Sequence, residues 1–136
     1  MKVIVLIGSI LLFTSQWLFG QKFIAITIDD LPTVTYGETD STYQQQLTQR
    51  LLNAMKEFDI PGIGFVNEVK LFKGKNIIPY QQDLLRQWVD ATFELGNHTY
   101  SHVDYNTVSI RQFGQDVIRG EQVTRKIHSA SGMKLR

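Results

Sequence analysis

Phe23-Ile24-Ala25-Ile26-Thr27-Ile28 is a nearly continuous apolar run that stops abruptly on Asp29-Asp30. A half-exposed strand alternates apolar and polar residues. A run without alternation fits a strand buried on both faces of a parallel sheet. Residues 22–28 are therefore expected to form a first strand, with the two carboxylates at its end. Leu31-Pro32 opens a polar loop over residues 33–40 that carries Gly37. Asp40 or Ser41 can cap the next element, a helix with Leu47, Leu51, Ala54, Met55 and Phe58 on its core face. Asp59-Ile60-Pro61-Gly62 stops that helix. Ile63-Gly64-Phe65-Val66 reads as a second short strand and residues 68–75 as a loop, with Gly74 flanked by lysines.

Leu84, Leu85, Trp88 and Val89 mark a second helix over residues 79–92, with Trp88 in the core. Phe93-Glu94-Leu95-Gly96 leads as a third strand into Asn97-His98-Thr99-Tyr100-Ser101-His102. A third helix is expected from Ser109, with Ile110, Phe113, Val117, Thr124 and Ile127 along one side, although Gly120 weakens it. His128 is expected on an exposed helix face. Strand and helix alternate three times, which implies an α/β fold with a parallel sheet. Ligands in such folds bind outside the carboxyl ends of the strands. Asp29-Asp30 and His98 both stand just past strand ends, so they fall on one rim although far apart in sequence.

Two His and one carboxylate form a complete protein ligand set for an open, catalytic divalent metal site. A bare His-x-x-x-His also arises by chance on helix surfaces, and an Asp-Asp pair alone is more often a cap or turn. Each at the end of an apolar run, they are far more specific together. One Asp is then left over, in reach of a water on the metal, which points to metal-assisted hydrolysis.

The 136 residues make one domain or part of one. The net charge of +1 gives no electrostatic reason to expect nucleic acid, and no basic run with interleaved aromatics occurs. The absence of cysteine excludes disulfides, thiolate catalysis and Cys-ligated zinc, so any metal sits on His and carboxylate. There is no internal repeat. At the N-terminus, Lys2 precedes an apolar run over residues 3–13, the pattern of a secretory signal peptide, with cleavage expected at Gly20-Gln21. An uncleaved anchor through Phe19 is the alternative, but Ser15 and Gln16 interrupt a stretch already short for a span of ~20 apolar residues. The expected division is a signal peptide over residues 1–20 and a catalytic-type domain over residues 21–136, secreted or periplasmic and off the membrane after cleavage.

Ile26-Thr27-Ile28-Asp29-Asp30 together with His98-Thr99-Tyr100-Ser101-His102 resembles the polysaccharide deacetylases, the nodulation-deacetylase-like carbohydrate esterases of family four. A Thr-x-Asp-Asp motif ends the first strand of that family, and a His-Ser/Thr-x-x-His motif follows a later one. The helix at residues 84–91 is also similar. The resemblance implies a distorted (β/α) barrel, of which this chain would be the N-terminal part. It implies Asp29 as general base, and Asp30, His98 and His102 as ligands of a divalent metal, usually zinc; the same donors also suit cobalt, iron or manganese. The implied reaction removes acetyl groups from N-acetylated sugars of a polysaccharide. The family's later Arg-x-Pro-Tyr, base-orienting Asp and Leu-x-His segments are missing, and Gly132-Met133-Lys134-Leu135-Arg136 is similar to the approach to the first of them. The chain is therefore expected to belong to a longer protein.

Other readings stand beside this one. A relative that binds glycan or metal without turnover would keep the first two motifs and lack the acid. A metal-dependent amidase on a non-sugar amide would use the same triad. Asn97 and Thr99 read either as turn formers or as hydrogen-bond partners of the ligands. Tyr100 and Tyr105 read either as glycan-groove residues or as loop packing.

Overall fold

The computed structural model describes residues 22–35 and 37–132. The expected signal peptide, its cleavage point and residues 133–136 lie outside the described residues. Strand β1 (Ile26–Leu31) is followed by helix α1 (Ser41–Glu57) and strand β2 (Gly62–Val66). A 3-10 turn (Glu68–Leu71) then leads into a short hairpin of β3 (Phe72–Lys73) and β4 (Asn76–Ile77). Helix α2 (Pro79–Asp90), strand β5 (Glu94–Asn97), helix α3 (Ile110–Arg119) and helix α4 (Gln122–Ser131) complete the order. Three of the strands form a parallel sheet, β1-β2-β5, as the alternation implies.

Local chemistry accounts for the boundaries. Asp40 caps α1 by accepting a hydrogen bond from the Tyr43 N–H. Pro79 stands at the first turn of α2, where its missing N–H costs nothing. Ser109 and Gln112 form a reciprocal capping box at the start of α3. The core lies between the sheet and its helices. Trp88, Leu85 and Val89 of α2 and Leu52 and Met55 of α1 pack over Leu31, Val66 and Leu95 of the strands, with Val123 and Ile127 of α4. Trp88 is fully buried, as expected. Gly64 has no side chain, and a Cβ there would stand 3.2 Å from the Trp88 ring, so the glycine lets α2 approach the sheet.

Several expectations are corrected. The first strand begins four residues later than expected, at Ile26, and continues through the Asp pair to Leu31. It is an edge strand and lacks a neighbour on one side among the described residues, so Phe23, Ile24 and Ile26 are exposed rather than buried on both faces. Phe58 is 69% exposed, because it forms the C-cap of α1 beyond the core-facing turns. Residues 68–75 hold the 3-10 turn and most of a hairpin, with Gly74 left-handed at its tip. The third helix is two helices, α3 and α4, separated at Gly120 and Glu121. Ile110 is accordingly exposed at the start of α3. His128 is buried at 2% exposure, its Nε2 3.2 Å from the Leu95 carbonyl oxygen. The break at Gly120 re-phases the helix, so Val123, Thr124, Ile127 and His128 share the inward face of α4.

Candidate metal centre

The first carboxylates sit in a bulge. Ile28 pairs with Gly64 and Leu31 with Val66, so β1 advances three residues while β2 advances two. The extra residue is accommodated by Asp30, whose φ of 64° lies in the left-handed region. A bulge breaks the two-residue alternation of a strand and re-aims the side chains around it. Asp29 and Asp30 therefore escape the strict up-down pattern that neighbours on a regular strand must obey.

The histidines sit on the loop that leaves β5. His98 N–H donates to the Val66 carbonyl at 3.0 Å, which continues the parallel ladder one step past the strand. The chain then turns sharply, with Thr99 at φ 64° and His102 at φ 56°. Left-handed backbone is uncommon for residues with a Cβ, costs of order 1–2 kcal/mol, and is concentrated at functional sites. Thr99 Oγ1 accepts from the His102 N–H at 3.0 Å and closes the turn.

These two segments bring three donors together. Asp30 Oδ1 lies 3.9 Å from His98 Nε2 and 3.9 Å from His102 Nε2. One ligand atom from each residue falls within 4.8 Å of the others. Tetrahedral donors on a zinc ion lie roughly 3.3 Å apart, given metal–donor distances of about 2.0–2.2 Å. Small side-chain rotations would close the difference, so the donor set and its spacing fit a divalent ion. His102 is the most exposed of the three, at 62%, while His98 stands beside the Phe65 ring with centroids 6.1 Å apart. The site is thus walled on the Phe65 side and open on the His102 side. Asp29 is exposed next to Asp30.

Four residues outside the two motifs hold this geometry. Lys70, in the 3-10 turn, donates to the Asp30 carbonyl and lies 3.9 Å from Asp30 Oδ1. Burial lowers its ammonium below the ordinary lysine value, and the Asp30 charge opposes that shift. Asn67 donates from Nδ2 to the His98 carbonyl, and its N–H donates to the Leu31 carbonyl. Asp116, on α3, accepts from the Ser101 N–H at 2.9 Å and the Ser101 hydroxyl at 2.7 Å. Burial pushes the Asp116 carboxyl up, but hydrogen bonds from Ser101, Thr99 and Tyr100 outweigh it and hold the carboxyl below its ordinary value. Gly120 supports the loop from beneath. A Cβ there would stand 2.5 Å from Thr99 C and 2.6 Å from Tyr100 N. A position just past a strand end was the available signal for Asn67, and Gly120 stood out only as a break in a helical pattern; nothing comparable marks Lys70 or Asp116.

Asn97 and Thr99 do not reach the imidazoles. Asn97 accepts from the Thr99 N–H at 2.7 Å and donates to the Val117 carbonyl at 2.7 Å, so it ties the loop to α3. Tyr100 lies under the Arg119 guanidinium, 3.5 Å from its ring centroid, and Tyr105 stacks edge-on against Phe113. Both tyrosines pack the loop.

The polysaccharide deacetylase family model matches residues 19–135, nearly the whole chain. The chain belongs to the polysaccharide deacetylase family. Solved structures with a similar fold include deacetylases and a family-four pseudoenzyme. The chitin deacetylase of the fungal pathogen Colletotrichum lindemuthianum is 27% identical, with a TM-score of 0.54 over 76% of this chain and 39% of that one. A peptidoglycan deacetylase of Bacillus subtilis is 22% identical, with a TM-score of 0.58 over 81% and 46%. A family-four pseudoenzyme of Bacillus anthracis is also 22% identical, with a TM-score of 0.58 over 86% and 34%. The chain thus spans less than half the length of these deacetylase-fold structures. No curated protein matches it. Among the described residues, no helix is long and apolar enough to cross a membrane.

Proposed function

We propose that this chain carries the metal-binding half of a secreted deacetylase of N-acetylated polysaccharide. One observation carries the reading: Asp30, His98 and His102, in a chain of the polysaccharide deacetylase family, converge within 4.8 Å on one rim of a parallel sheet. We assign them as ligands, each imidazole neutral and the carboxylate ionised, with zinc the preferred ion for two nitrogens and one oxygen. Such an ion supplies Lewis-acid polarisation and eases deprotonation of water. Asp29 accepts a proton from the attacking water as it adds to the acetamide carbon. Lys70 and Asn67 keep the two ligand-bearing segments in register. The proton for the departing amine belongs to the family's Leu-x-His segment, which this sequence lacks. Chitin-type oligomers and peptidoglycan are the substrates to try first, because the solved relatives are named for them.

The likeness to a family-four pseudoenzyme supports a second reading, a relative that binds glycan without turning it over. Acetate release from N-acetylated chito-oligosaccharides and from peptidoglycan, with zinc supplied, separates the two. Metal-dependent acetate supports the deacetylase. Glycan binding without acetate supports the second reading, and turnover confined to small non-sugar amides would make the chain an amidase.

A further inference from the structure

Asn67 occupies an unusual position for a neutral polar residue. It is 1% exposed and lies directly past β2, between the two segments that bring the candidate ligands. Its backbone N–H donates at 3.1 Å to the carbonyl of Leu31, the residue after Asp30. Its side-chain Nδ2 donates to the His98 carbonyl and lies 3.5 Å from the Thr99 carbonyl oxygen. One residue therefore contacts the bulge that carries Asp30 and the turn that carries His98 and His102.

The chemistry at this position is specific. A primary amide offers two N–H bonds from one nitrogen, one toward each of two converging carbonyls. Those carbonyls converge because Thr99 is left-handed. An aspartate would set a carboxylate oxygen against them, and an apolar side chain would leave both unpaired. The other end of the amide is not satisfied: Asn67 Oδ1 is buried with no hydrogen-bond partner. A buried unpaired acceptor costs about 1–3 kcal/mol.

We propose that Asn67 is the positioning residue of the metal centre: it fixes the separation between Asp30 and the two histidines by holding the His98 and Thr99 peptides against the end of β2. The proposal rests on the metal-binding reading above, and the test separates the two. The full chain is titrated with Co2+ as a spectroscopic probe, and Zn2+ affinity is measured by competition with a chelator. Wild type, Asn67→Asp and Asn67→Ser are compared, each first checked for folding by circular dichroism without metal. Partners that orient metal ligands typically contribute 10–100-fold to affinity. We expect Asn67→Asp to bind more than tenfold more weakly with an altered Co2+ visible spectrum, and Asn67→Ser, which keeps one donor, to fall between. Folded variants with wild-type affinity and spectrum overturn the proposal and leave the metal site standing. Failure of wild type to bind either ion overturns the metal reading and the proposal with it. If the variants do not fold, nitrogen-15 NMR of wild type decides. Slowly exchanging Asn67 side-chain amide protons that shift on Zn2+ addition support the role, and fast exchange without a shift overturns it.

Discussion

At the scale of single residues, loss of a candidate ligand and loss of the candidate base should differ in kind. His98→Ala leaves only Asp30 and His102 as protein donors, too few for the tetrahedral site of a catalytic zinc. Stoichiometric zinc should be lost on gel filtration; unchanged zinc content would remove His98 from the ligand set. Asp29→Asn spares the three donors and removes the proton acceptor. Zinc content should stay at the wild-type level while acetate release by the intact enzyme falls by about 10²–10⁴-fold, the usual worth of a general base. Activity within tenfold of wild type would reject that role. The three candidate ligands stood out in the sequence because the two motifs that carry them each follow an apolar run. Lys70 and Asp116 did not, because a lone lysine or carboxylate beside a loop carries no spacing signal, and Asn67 had only its place past a strand end. Only folding shows that Asn67 and Asp116 bond the backbone of a segment some fifteen to thirty-one residues away.

At the scale of elements, the His loop is held by α3 as well as by the sheet. Gly120 makes the close approach possible. Gly120→Ala should force Thr99 and Tyr100 outward and destabilise by roughly 1–3 kcal/mol, the range for overpacking. A urea midpoint equal to wild type would show that the loop yields freely. Asp116 makes the same clamp sensitive to acid. Its folded-state pKa lies below the ordinary 3.8, so its contribution is present above that pH and is lost as the pH falls through and below it. The stability gap between wild type and Asp116→Asn should therefore be wider at pH 7 than at pH 3 in urea unfolding. A gap that does not change with pH would show that the carboxylate's charge contributes nothing. Element type was legible where periodicity ran long, as in α1 and α2. The 3-10 turn and hairpin at residues 68–77 were not legible, because four-residue and two-residue elements are shorter than any period they could display. For His128 the available signal was its spacing: it follows Ile127 and lies four residues after Thr124, on the inward stripe.

At the scale of the whole molecule, sheet order decides what the apolar run at residues 23–28 can do. The run has the composition of a strand covered on both faces, yet β1 is an edge and Ile26 lies in the open. Composition reports what a strand is suited to, whereas burial depends on which neighbours are present. The candidate metal centre joins segments at the two ends of this sheet, β1 and β5, so an ion bound there would cross-link the fold. A ligand held only by the native state at one hundred times its dissociation constant stabilises by about 2.7 kcal/mol. Zinc at that excess should raise the thermal midpoint by roughly 10 °C, and a chelator should reverse the rise. An unmoved midpoint would mean that the ion does not bridge the sheet.

The left-handed backbone at Asp30 and His102 has an evolutionary consequence. Glycine is at ease where φ is 64° or 56°, and a side chain is not. Replacing either candidate ligand by glycine should therefore relieve strain while it disarms the centre. Glycine at either position would lose the chemistry and, in the metal-free protein, ease the local backbone strain. A lineage released from selection for turnover would shed them readily and keep a sound scaffold, which is a physical route by which a catalyst of this architecture becomes a silent one.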